Sequence, residues 1–300
     1  MKQLILIFFL LGLELAPPAL SAAPLSFPAA TGSEIQFKQH PQRIVSLGPL
    51  NTENVFLLGA GDRLVGNTSY CVRPEAARHK EKVGSVMQIS IEKIISLRPD
   101  LVLATALTRP EQLKQLERLR MRVIRFKQPT SFHEICTQFL ELGHLLGLTE
   151  EARLVIDQAR SEVEAVQRKV AGLPRKKVFL QVGTRPLFAS VPSSFTHDFI
   201  DLAGGINIAA DQHSGAIHSE KVIATDPDLI VIAIMGSETG LAGTEKRQWL
   251  QVPVLTAART GRVHVLDPDL VCSPSPMTFA RTLRVMADLI HPEIAHHKKP

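Results

Sequence analysis

Twice along the chain an aliphatic run of strand length follows a short helical stretch that closes on Pro-Asp. Residues 91–104 read IEKIISLRPDLVLA and residues 219–232 read SEKVIATDPDLIVI, with Glu92 and Glu220 opening the helices and Pro99-Asp100 and Pro227-Asp228 ending them. Residue type and order agree across most of both windows, so the pattern predicts two lobes of one design. Around the first copy, aliphatic runs at 43–47, 64–66, 101–104 and 123–126 alternate with helical spacing at 111–119 and at 132–146 (Ile135, Phe139, Leu142, Leu145, Leu146). Asn51 or Thr52 is placed to cap a further helix carrying Val55, Leu57 and Leu58, which ends at Gly59. Strands alternating with helices over short links predict an α/β fold with a mostly parallel sheet covered by helices.

In such sheets ligands sit off the carboxyl ends of the strands. That puts Pro49–Asn51, Tyr70–Arg73, Met87 and Thr105 on a common rim. Residues 150–170 then run without Gly or Pro, with Leu154, Ala165 and Val166 as the apolar side, until Ala171-Gly172-Leu173-Pro174 stops them. This predicts one rigid helix joining the lobes. Beyond it come a strand at 178–182, a turn at 183–188, a helix at 195–202, a loop at 211–218 and the second repeat. Trp249 falls in a helix or loop, 263–266 is a late strand, 267–276 a rim loop, and a final helix carries Phe279, Leu283, Met286 and Leu289. The expected boundaries are a first lobe at 42–148, a connecting helix at 149–173, a second lobe at 177–292 and a tail at 293–300.

The N-terminus sets the compartment. Met1-Lys2 precedes an apolar run from Leu4 to Leu13, broken by Glu14 and Pro17-Pro18 and followed by small residues. This reads as a cleaved secretory leader over 1–22, too short to span a membrane. No Cys stands at the cleavage site to carry a lipid, so the expectation is an exported, soluble, periplasmic protein. With 300 residues and 45% hydrophobic content, two real cores can form. The net charge of +5 is unchanged when Lys2 and Glu14 leave together, and with one Trp, one Tyr and scattered basic residues it excludes a nucleic-acid surface. Cys71, Cys136 and Cys272 form no metal spacing. Cys136 sits in a helical pattern, whereas Cys71 and Cys272 lie in turn-rich segments where a disulfide is one option.

Neither GxGxxG nor GxxxxGK[ST] occurs, nor GxSxG, nor HExxH. His197-Asp198 reads as an exposed pair on an amphipathic helix. His213 and His218 flank the 211–218 loop and are ligand candidates. Nothing assembles a nucleophile, a base and an oxyanion donor, which points to a binder rather than an enzyme.

RIVSLGPLNTENVFLLGAGDRLVG, SYCVRPEAA, IEKIISLRPDLVLA, VFLQVGTRPLF, DFIDLAGGINIAAD, SEKVIATDPDLIVIA and GRVHVLDPDL follow one another through nearly the whole mature chain. In these motifs the chain resembles the periplasmic substrate-binding proteins of ABC importers for metal chelates, the group of cobalamin, ferric-siderophore and haem receptors. The resemblance implies two Rossmann-like lobes with mostly parallel sheets joined by one long rigid helix, and a small-molecule chelate held between them. It implies a monomer with no cofactor of its own, delivering to an ABC permease dimer in the inner membrane. Glu92 and Glu220 take the positions that meet permease arginines in relatives. By itself each offsets a helix dipole, worth roughly 0.3–1 kcal/mol. Tyr70 and Phe188 match aromatic positions of the cobalamin receptors and Asp269 a polar one, while Val86-Met87, Thr105 and Gly215-Ala216 stand where other rings would be. Arg73 and Arg185 are suited to the acidic oxygens of a siderophore or haem. For haem, the axial ligand would be Tyr70, His213 or His218. The VFLQVGTRPLF stretch is closest to cobalamin receptors and favours a corrinoid over a ferric siderophore. A chelatase-like enzyme and a free-metal receptor are the rivals from other classes.

Overall fold

The computed structural model describes residues 25–295 apart from 31, 33 and 236–239. The expected leader at 1–22 and residues 296–300 of the tail lie outside the described residues. Strands β1 (Leu25–Pro28) and β2 (Glu34–Phe37) pair antiparallel ahead of the first lobe. The lobe then runs β3 (Ile44–Ser46), α1 (Pro49–Leu57), β4 (Leu64–Asn67), α2 (Glu75–Arg78), β5 (Glu81–Lys82), α3 (Ile91–Ser96), β6 (Leu101–Ala104), α4 (Pro110–Arg118), β7 (Val123–Arg125) and α5 (Phe132–Leu146). Its sheet has the order β5-β4-β3-β6-β7, with every pair parallel. The chain builds outward from β3 to β5, then returns to place β6 on the other side of β3. The switch point therefore lies between β3 and β6.

After α6 (Thr149–Val170) the second lobe repeats the plan. It comprises β8 (Lys176–Thr184), β9 (Leu187–Ala189), α7 (Thr196–Asp201), β10 (Gly205–Asn207), α8 (Ser219–Thr225), β11 (Leu229–Ile232), α9 (Leu241–Leu250), α10 (Thr256–Arg259), β12 (Val263–Val265), α11 (Pro268–Cys272), α12 (Pro276–Ile290) and α13 (Pro292–Ala295). Its order is β10-β8-β11-β12, parallel throughout, with β9 folded antiparallel onto β8, so its switch point lies between β8 and β11.

The repeated Pro-Asp has one structural job in both lobes. Asp100 accepts the Gln42 and Arg43 amides at 2.8 and 2.9 Å, and Asp228 accepts the Lys177 amide at 2.7 Å. Each carboxylate thus clips the entry of the neighbouring strand, β3 or β8. The residue before each Pro, Arg98 or Asp226, turns the chain with a positive φ of 47° or 48°. Each duplicated segment also has its own apolar neighbourhood. Ile91, Ile94, Val102 and Ala104 pack in one cluster of the first lobe, while Val222, Ile230 and Ile232 pack in another of the second.

Between the sheets a third cluster is continuous from lobe to lobe through α5, α6 and α12. Phe279 of α12 stacks on Phe132 of α5 at 4.6 Å and on Phe199 of α7 at 4.3 Å. The long helix is where expected, but its buried stripe is Ala152, Ile156, Ala159, Val163, Val166 and Val170. That spacing of four and three residues tracks the 3.6-residue turn. Leu154, expected on the apolar side, is 72% exposed because it points away from this stripe, and Ala165 is only partly buried.

Other expectations shift for local reasons. Helix α1 starts at Pro49, whose fixed φ suits the first helical position, and Gly48 is its N-cap; Asn51 and Thr52 are buried inside the first turn instead. The 267–276 segment is not all loop, since Asp267 caps α11 through the Asp269 amide at 2.9 Å. Trp249 is buried on α9, Leu289 is only partly buried, and the start of the tail forms α13. His197-Asp198 is not an exposed pair. Asp198 accepts the Phe132 amide at 2.7 Å across the lobes, and His197 Nδ1 lies 3.0 Å from Asn207 Nδ2. Desolvation raises the Asp198 pKa, with the Phe132 N–H pulling the other way. All three cysteines are free thiols, so the Cys71–Cys272 option is not taken. No described helix is long and apolar enough to cross a membrane.

Candidate functional site

A cavity of about 370 Å³ opens between the lobes and is lined by residues of both. Its first-lobe wall starts at Pro49–Asn51 and at Thr105–Leu107, the residues that follow β3 and β6. These two segments are bolted together. Asn51 Nδ2 donates to Ala104 O at 3.1 Å, Thr52 Oγ1 donates to Ser46 Oγ at 2.9 Å, and Ser46 Oγ donates to Gly48 O at 3.1 Å. Gly48 is required by close approach, because a Cβ there would fall 2.4 Å from Thr105 Cγ2. The Thr105 loop is pinned in turn. Thr105 Oγ1 accepts the Leu107 amide at 3.2 Å, and Arg125 donates to Thr105 O at 3.2 Å and to Ala106 O at 2.8 Å.

Tyr70, Val86-Met87 and Phe126 complete this wall, and Phe195, Met235 and Cys272–Pro274 face it from the second lobe. Tyr70 and Met87 are each 51% exposed, Leu107 60% and Met235 42%, so large apolar surfaces stand open to whatever enters. Among the described lining residues Lys127 is the one that carries a charge. The Cys272 thiol is pushed up to about 12 by burial and then by Asp269 and Asp267, which keeps it protonated and unreactive at neutral pH.

Three of the ligand candidates read from sequence, Tyr70, Met87 and Thr105, are thus brought together. The other five stand elsewhere. Arg73 pairs with Glu53 Oε2 at 3.0 Å within its own lobe and donates across to Asp269 O at 2.5 Å. Asp269 therefore meets Arg73 through its backbone, on the first turn of α11. Arg185 lines a separate hollow of about 710 Å³ on the second lobe, with His218, Glu220, Glu245 and Trp249. Phe188 on β9 is held over Gly183 and Gly215, where added Cβ atoms would meet it at 3.0 and 2.7 Å. His213 is exposed in the 211–218 loop, outside both cavities. Among the described residues no three His, Cys, Asp or Glu side chains converge as a metal site would require.

Sequence reasoning missed Leu107, Phe126, Phe195 and Met235, whereas Cys272–Pro274 belong to the 267–276 segment expected at the rim. One of them was within reach: laying the second repeat on the first puts Met235 at the place of Leu107, just past the matching strand. Glu92 and Glu220 are both exposed, in the first turns of α3 and α8, and each accepts a serine hydroxyl (Ser90 at 3.1 Å, Ser219 at 3.3 Å).

Residues 44–270 match the family model described as periplasmic binding protein. Among curated proteins, the chain is 29% identical over 279 residues to the uncharacterised ABC transporter substrate-binding lipoprotein YvrC of Bacillus subtilis, covering 90% of this chain and 86% of that protein. It is 32% identical over 220 residues to the vitamin B12-binding protein of Yersinia pseudotuberculosis, covering 72% of this chain and 78% of that one. Among solved structures, the periplasmic vitamin B12 binding protein BtuF of Vibrio cholerae superposes with a TM-score of 0.71 at 26% identity, over 86% of this chain and 99% of its own. The apo periplasmic haem-binding protein RhuT from Roseiflexus sp. RS-1 superposes with a TM-score of 0.73 at 25% identity, over 84% and 99%.

Proposed function

Since this chain belongs to the periplasmic binding protein family, in the group of ABC-importer receptors for metal chelates, we propose that it captures a corrinoid in the inter-lobe cleft and hands it to an ABC permease. The observation that carries this reading is the cleft wall. It is built from Tyr70, Met87, Leu107, Phe126, Phe195 and Met235, and among the described residues that line it Lys127 alone is charged. Such a wall suits a large ligand bound through apolar faces and a few polar groups. An acidic ligand would need cationic partners, and Arg73 and Arg185 are not at the wall. The relatives that bind vitamin B12 support the same choice. Haem is the second reading, because the half-exposed Tyr70 phenol stands in the cleft as an axial ligand would have to.

In this reading residues 1–22 direct export and the mature chain works as a soluble periplasmic monomer without a cofactor. Glu92 and Glu220, one on each lobe, meet basic side chains of a two-fold permease. A thermal-shift panel of cyanocobalamin, cobinamide, haem and ferric siderophores tests the ligand. The corrinoids at 100 times their Kd are expected to add roughly 2.7 kcal/mol of stability. A shift with haem alone would select the second reading, and no shift with any chelate would overturn both.

A further inference from the structure

A polar cluster joins the two walls of the cleft. Glu53, on α1 of the first lobe, accepts through Oε1 from Ser275 Oγ at 2.6 Å and from Thr278 Oγ1, both at the start of α12 in the second lobe. Its other oxygen forms an ion pair with Arg73, 3.0 Å from Nη2 and without a hydrogen bond, while Nη2 donates to Asp269 O at 2.5 Å on α11. The two side chains are largely covered, 13% and 25% exposed, so these contacts are made in low dielectric, where charged hydrogen bonds are strong and costly to break. Ser275 is also the N-cap of α12, accepting the Thr278 amide at 3.2 Å, so the carboxylate faces the positive end of a 15-residue helix.

Each arm of the cluster continues into the cleft. Asn51 stands two residues before Glu53, Tyr70 three before Arg73, and Cys272–Pro274 run directly into Ser275; all of these neighbours line the cavity. We propose that Glu53 and Arg73 are positioning residues for ligand capture. They clamp the Tyr70 loop of one lobe to the 272–275 segment of the other, so that the walls stand at ligand-ready spacing before a ligand arrives. The inference rests on the reading that the cleft holds the ligand. Its energetic logic is population: a receptor whose competent geometry is fully occupied loses no affinity to conformational selection, and one whose lobes drift loses affinity in proportion.

The test uses the whole mature chain with spin labels attached through a ketone-bearing amino acid at exposed positions 114 and 251, one on each lobe. The unmodified clamp should give one narrow inter-label distance that cyanocobalamin does not change. Glu53→Ala and Arg73→Ala should broaden the ligand-free distribution, narrow it again on adding cyanocobalamin, and weaken binding about tenfold, mostly through slower association. Glu53→Gln keeps an acceptor for Ser275 and Thr278 and should recover much of the narrow peak. A distribution as narrow in folded Glu53→Ala and Arg73→Ala as in the parent would overturn the proposal. If Glu53→Ala does not fold, Arg73→Ala and Glu53→Gln decide. Absence of cyanocobalamin binding in the parent would count against the function, while the ligand-free distances would still judge the clamp.

Discussion

Asp100 and Asp228 show how one residue type can hold a whole unit in register. Each closes a short helix in sequence, yet its carboxylate reaches sideways to the entry of the next strand, β3 or β8. Asp100 binds two amides there and Asp228 one. The loss on Asp→Ala is therefore unequal: about 2 kcal/mol for Asp100 and about 1 kcal/mol for Asp228, after discounting for partial exposure. Urea unfolding of the two variants measures this, and equal costs would contradict the amide count. Sequence alone offered the repetition of these residues and their turn chemistry. It did not offer their partners, because an acceptor fifty residues from its donor leaves no trace in local spacing. The same limit explains Arg73. A guanidinium beside a rim loop is chemically fit to bind an acidic ligand, and only the fold reveals that Glu53 and Asp269 O already hold it.

At the scale of elements, periodicity told helices from strands well, and it told faces less well. Helix α5 runs over 132–146, as its apolar spacing predicts, because seven of its residues pack into one core and Ser131 caps it. The longest helix is the instructive exception. Ala152 and Ala159 alternate with Ile156 and Val163 in its buried stripe, so of the expected apolar side only Val166 is fully buried, while the larger Leu154 points to solvent. Close packing of α6 on α5 and α12 favours small side chains there, since bulky ones would hold the helices apart. Ile156→Ala should then cost about 2–4 kcal/mol by leaving a cavity between helices, whereas Leu154→Ala should change stability by less than about 0.5 kcal/mol. Chemical denaturation with unchanged m-values would bear this out, and a reversed order would move the buried face.

For the whole molecule, one apolar core runs through α5, α6 and α12 into both lobes while each sheet keeps a cluster of its own. Such an arrangement resists wide hinge opening and leaves the two faces carrying Glu92 and Glu220 in a constant relation. If those carboxylates dock a two-fold permease, Glu92→Lys with Glu220→Lys should leave the chelate-induced thermal shift intact and abolish stimulation of the transporter's ATPase. Undiminished stimulation would remove the docking role. The chain by itself determined the duplicated α/β plan, the strands and helices, and the rim that Tyr70, Met87 and Thr105 share, since side-chain periods and turn residues act over a few positions. Tertiary structure decided what crosses between halves: Met235 and Met87 lining one cavity, and Ser275 and Thr278 on Glu53 more than two hundred residues away. Those meetings depend on how two finished sheets pack around shared helices, and that is a property of assembled surfaces rather than of any stretch of sequence.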